Sequence, residues 1–170
     1  RRDEAQVIFT RFRLLEPEAS RRRAYGGLFD YLKLTPTEQR TQYLRNLRAG
    51  ITTKPDDPTL RVRLGKALLM ENKIEEAAEA YRIVLGLTKD PDIFAECAAT
   101  LLSAEQYGLA KEFLTLLVAA RPDSTDAQID LAIAVFHTDG AAAGLAGVDK
   151  IPPENRDGDY YLLRAQILDA

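Results

Sequence analysis

The chain contains no tryptophan, one cysteine (Cys97), one histidine (His137) and one methionine (Met70). A single thiol excludes a disulfide framework within the chain. That is compatible with the cytoplasm and equally with a disulfide-free protein of the cell envelope. One histidine and one cysteine, far from any clustered ligand spacing, argue against a metal site. No glycine-rich loop follows a strand-like run, so no nucleotide cradle is present. No apolar run is long enough to span a membrane, and no signal peptide is visible. The eight prolines cluster between apolar runs and not inside them.

Charge is present in both signs and is uneven. Residues 1–57 hold twelve Lys/Arg against eight Asp/Glu, a balance of +4, and residues 58–170 hold eleven against eighteen, or −7. Overall acidity argues against nucleic acid as the main partner. The basic first part suits an acidic protein segment. Hydrophobic content of 46% is enough for a core in one domain or one array.

The organising feature lies between Pro58 and Ser124. The stretch PTLRVRLGKALLMENKIEEAAEAYRIVLGLTKD lies over PDIFAECAATLLSAEQYGLAKEFLTLLVAARPDS at a constant offset of 33 residues. Leu64-Gly65 falls on Cys97-Ala98, Leu68 on Leu101, Ile74 on Tyr107, Ala77 on Ala110 and Tyr81 on Leu114. A fixed period of this size marks a repeat architecture. Leu60, Leu64, Ala67 and Leu68 follow helical spacing, opened by Asp57-Pro58 as cap and first-turn proline. Asn72-Lys73 interrupts the run, and asparagine tolerates the left-handed turn of a helix end. A second helical pattern runs from Ile74 to Leu85 and stops before Asp90-Pro91. Gly65 and Ala77 are expected at a close crossing of the two helices.

This pattern resembles the tetratricopeptide repeat. The matching residues are Leu64-Gly65, Leu68, Ile74, Ala77 and Tyr81 in the first copy. In the second they are Phe94, Ala98, Leu101, Tyr107, Ala110 and Pro122. Departures are Arg61, Cys97, Val84 and Leu117. The resemblance implies an all-α fold, a right-handed superhelix of antiparallel helix pairs (an α-solenoid). The expected units are a half-repeat 1–18, a degenerate repeat 19–57, repeats 58–90 and 91–124, a degenerate repeat 125–157 and a partial repeat 158–170. Ser20–Lys33 is the expected first helix of the second unit. Its partner is expected to start near Pro36, with Tyr43, Leu44, Leu47 and Ile51 inward. Residues 50–58 are expected to form a long turn. A short, thin helix is expected near Ala141–Asp149, where Gly140–Gly147 offers few large side chains. Tyr161, Ala165 and Leu168 take family slots in the last helix. An array cut at both ends is expected to expose apolar flanks.

No nucleophile–base pair or paired carboxylates stand out, so no catalytic residue, metal ligand or cofactor site is expected. Cys97 reads as a small buried hydrophobe, and Glu75, Glu76 and Glu79 as a solvated face. In a superhelix of this kind the first helices line a concave wall. Its expected residues are Tyr31, Val62, Arg63, Lys66, Leu69, Glu96, Ala99, Ile129, Asp130, Ile133 and Phe136. Ile129, Ile133 and Phe136 read either as packing against the next helix pair or as a groove for a peptide or amphipathic helix. Some tetratricopeptide domains clamp the C-terminal carboxylate of heat-shock chaperones through Lys and Asn at two groove slots. Here those slots hold Val62 and Lys66, Ala95 and Ala99, then Ile129 and Ile133, so the resemblance does not extend to that activity. The expected function is a non-enzymatic scaffold that binds a protein or peptide. The alternatives are an arm of a larger enzyme or an assembly element that self-associates through open ends.

Overall fold

The structure is a computed structural model and describes residues 34–170. The half-repeat 1–18, the helix expected over Ser20–Lys33 and the wall residue Tyr31 lie outside the described residues. The chain divides into two compact units, Arg1–Ala49 and Gly50–Ala170. Among the described residues there are eight α-helices and no strand. They are α1 (Pro36–Thr53), α2 (Pro58–Met70), α3 (Ile74–Leu87), α4 (Pro91–Ser103), α5 (Tyr107–Ala120), α6 (Thr125–Asp139), α7 (Ala141–Val148) and α8 (Gly158–Asp169), with a short 3₁₀ turn at Pro153–Asn155.

Local chemistry sets the helix boundaries. Asp57 caps α2 by accepting from the Thr59 and Leu60 amides, and Asp90 caps α4 through the Asp92 amide. Ser124 caps α6 through Ala127, and Asp157 caps α8 through Asp159 and Tyr160. The caps stand at 57, 90, 124 and 157, intervals of 33, 34 and 33, so the starts of the first helices keep the period of the sequence. Each such cap stabilises its helix by about 1 kcal/mol. Between the two helices of each pair the chain passes through a left-handed residue: Asn72 (φ 58°), Glu105 (φ 57°) and Gly140 (φ 91°). Asparagine and glycine suit that conformation; Glu105 does not.

Two sequence expectations for α1 need correction. Tyr43 is exposed, while Leu47 is buried and Leu44 and Ile51 are half-buried, so Tyr43 stands at the edge of the apolar stripe. The expected long turn is also shorter, because α1 continues to Thr53. Gly50 lies against the Leu60 side chain, where a β-carbon would be 3.4 Å from Cδ1, and this contact supports the extra turn.

Within the second unit, α2 packs on α3, α4 on α5, α5 on α6, α6 on α7, and α8 against α6 and α7. One apolar cluster holds Val62, Tyr81, Phe94, Cys97, Phe113 and Leu114. A second holds Ile129, Val148, Ile151, Tyr160, Leu163 and Ile167. Small residues sit where helices cross. A methyl at Gly65 would lie 2.6 Å from the Tyr81 ring, and one at Gly144 would lie 2.8 Å from Phe136 Cβ. The sequence GAAAG from Gly140 to Gly144 is therefore a close-packing surface for α6. Ala77 and Ala110, the expected crossing residues, are fully buried.

Polar ties lock the connections. Lys111 binds Asp139 at 2.8 Å and joins α5 to the end of α6. Arg156 donates to the Ile151 carbonyl at 2.9 Å and lies over the Tyr160 ring, while Arg164 pairs with Asp149. In α8 the slots Tyr161, Ala165 and Leu168 are exposed, and Tyr160, Leu163 and Ile167 are buried instead. The physical reason lies in the pairing: the slots of Leu68 and Leu101 meet the second helix of their own pair, and α8 has no such partner among the described residues.

Candidate partner-binding face

The residues expected on one wall divide into two groups. Arg63, Lys66, Glu96 and Ala99 are exposed. Lys66 on α2 and Glu96 on α4 form an ion pair at 3.9 Å, which brings neighbouring first helices side by side. Met70, one turn beyond Lys66, is 78% exposed. Along α4 the outward positions are small, with Ala99 and Ser103 open to solvent.

The other group belongs partly or wholly to the core. Val62 (2% exposed) and Ile129 (7%) are buried in the first and second clusters, and neither is a wall residue. Leu69 packs against the first cluster, and Ile133 and Phe136 pack against the second. Of the two readings left open for the α6 residues, packing against the following helices is the one observed. Tyr160, Leu163 and Ile167 of α8 supply the surface that covers them.

Asp130 differs from its neighbours. It is half-buried on α6, and among the described residues it has neither an ion pair nor a hydrogen bond from its side chain. Burial, and then the like charge of Asp126, push its carboxyl up from the ordinary value. A carboxylate in such a place favours a cation beside it. His137 stacks on Tyr107 with centroids 3.9 Å apart and touches Phe136, so its ring joins the ends of α5 and α6.

The single thiol is buried at the crossing of α3 and α4. Burial, and then Glu96, push Cys97 from 9.0 up to about 12. Burial also raises Tyr81, whose hydroxyl is shut away from solvent without a hydrogen-bond partner among the described residues. The Thr100 hydroxyl near it donates to the Glu96 carbonyl at 2.9 Å. Neither residue has the exposure and activation a nucleophile needs. Among the described residues no group of three His, Cys, Asp or Glu could hold a metal ion, and no helix is long and apolar enough to cross a membrane.

Residues 101–167 match the tetratricopeptide repeat family model. The chain carries tetratricopeptide repeats. The match runs from the end of α4 through α8, and so includes the α6–α7 pair whose second helix is short and glycine-rich. The same cap spacing and left-handed turn link it to the tetratricopeptide-like pair α2–α3 that precedes it. No curated protein matches the chain. Tetratricopeptide repeats generally mediate protein–protein interaction.

Proposed function

We propose that this chain is a non-enzymatic scaffold that binds a protein segment along the outward face of its first helices, α2, α4 and α6, with repeat units 58–90, 91–124, 125–157 and 158–170. The observation that carries the reading is Asp130. An unpaired, half-buried carboxylate beside Asp126 favours a partner with a lysine or arginine at that point. The small residues of α4 leave room for a backbone to approach, and the Lys66–Glu96 pair and Met70 offer polar and apolar contacts on either side. A basic, partly apolar segment fits this combination.

The test is capture of partners from lysate by the immobilised chain, compared with a Lys66→Glu, Asp130→Lys double variant of unchanged helicity. A protein held by the wild type and lost by the variant supports the reading. The Asp130 titration, followed by NMR, should move down when that protein is added. Equal retention by both forms would move the site elsewhere.

A second reading has its own support. Tyr161 (62% exposed) and Leu168 (59%) stand open on α8, in slots that meet a paired helix in the earlier units. A chain that self-associates through this face would cover them. Light scattering that shows mass rising with concentration, and a return to monomer in Tyr161→Glu, Leu168→Glu, would favour assembly. A strict monomer would remove it.

A further inference from the structure

A cleft of about 490 Å³ opens between α5, α6 and α7, on the side of α6 away from Asp130 and Ile133. It is lined by Val118 and Pro122 from the end of α5, Gln128 and Val135 from α6, Gly147 from α7 and Lys150 just beyond it. The repeat itself shows what this space holds elsewhere. Gln128 and Gly147 stand 34 residues after Phe94 and Phe113, whose rings meet edge to face at 5.9 Å in the first cluster. The α6–α7 pair keeps the helices and omits both rings.

What replaces them is polar at one point. The Gln128 amide nitrogen donates to the Pro122 carbonyl, which fixes the orientation of the amide. Its carbonyl oxygen Oε1 is buried and accepts from no group among the described residues. An unmet buried acceptor of this kind is costly. Lys150 is the one charged residue among those lining the cleft, and its ammonium has no ion pair among the described residues.

We propose that this cleft is a docking site for a tryptophan side chain, flanked by acidic residues, on a partner protein. The indole is a fused pair of rings that supplies the missing aromatic volume. Its N–H is a donor that reaches Gln128 Oε1 after a small turn of the side chain, and an adjacent carboxylate meets Lys150. Phenylalanine leaves the Gln128 oxygen unmet. Tyrosine brings a single ring. The chain has no tryptophan, so a second copy cannot supply the ligand.

That absence also makes the test clean, because tryptophan emission reports the bound probe alone. The probe is acetyl-Glu-Glu-Trp-Glu-Glu-amide, titrated with the whole chain. A saturable blue shift is expected. Filling the cleft with the residues of the preceding pair, by Gly147→Phe or separately by Ala143→Leu, is expected to abolish the shift while the circular dichroism is kept. Two variants are used so that one that misfolds does not decide the matter. Methylating the indole nitrogen is expected to weaken binding to the wild type by about threefold or more, and to leave binding to Gln128→Leu unchanged. Lys150→Glu should weaken binding, and Lys66→Glu, on the other face, should not. The proposal is overturned by the absence of a shift at millimolar protein, or by a shift that survives both filling variants. Loss through Lys66→Glu, equal binding of the methylated probe to the wild type, or tighter binding of a tyrosine probe would each also overturn it.

Discussion

The Tyr81 ring lies flat against the place where a side chain on Gly65 would begin, with ring carbons 2.6 to 2.9 Å from an ideal β-carbon. The next pair of helices puts Ala98 and Leu114 at the same two positions. An aromatic ring on one helix therefore goes with glycine on the other, and a smaller aliphatic side chain goes with alanine. Gly65→Ala improves helix propensity by about 1 kcal/mol, but the methyl and a fully buried ring cannot share the space. The net expectation is a loss of about 1–2 kcal/mol in urea unfolding. Adding Tyr81→Leu should make the cost of the alanine smaller than it is alone. If Gly65→Ala costs as much in the Tyr81→Leu background as in the wild type, the contact is not the cause.

Glu105 occupies the left-handed turn that Asn72 holds in the preceding pair and Gly140 holds in the following one. Its side chain is exposed, so the backbone conformation dominates its contribution. Glu105→Asn or Glu105→Gly should stabilise the chain by about 0.5–1 kcal/mol, seen as a higher urea midpoint at unchanged m-value. Glu105→Ala should bring no such gain.

Asp90 is the cap of α4, with its carboxylate on the Asp92 amide at 2.9 Å. Asp90→Ala should cost about 1 kcal/mol, and Asp90→Ser much less. A neutral alanine variant would show that Pro91 alone starts the helix.

Cys97 should resist alkylation in the folded chain and react only as the chain unfolds, since its thiol is buried and held up to about 12. The sign of the pH dependence follows. Below pH 9 the thiol is neutral in folded and unfolded chains alike, and it adds no pH dependence. As pH rises from 9.0 toward about 12, the unfolded thiol loses its proton and the folded one keeps it. Stability should therefore fall on the order of 1 kcal/mol per pH unit in that window. Tyr81, raised in the same direction, adds to the fall at its upper end. Cys97→Ala should flatten the slope between pH 9 and 10, measured by urea titration. A slope unchanged by that substitution would assign the effect elsewhere.

The repeat of 33–34 residues, the caps at Asp57, Asp90, Ser124 and Asp157, the left-handed Asn72 and the small crossing residues Gly65 and Ala110 were all legible in the sequence, or follow from its period once the chain is aligned on itself. Helical spacing and cap chemistry act within one or two turns, so a linear string records them. Coverage is a different kind of property. The period places Ile133 and Phe136 on one face of α6 and Gln128 and Val135 on another, but only the packed chain decides which face is covered. There α8 brings Tyr160, Leu163 and Ile167 onto the first face, and the missing side chains of α7 leave the second open. Val62 and Ile129 fall inside the core for the same reason. A residue's spacing defines its direction on its own helix, while its burial depends on the volume of side chains contributed by helices that arrive later in the chain.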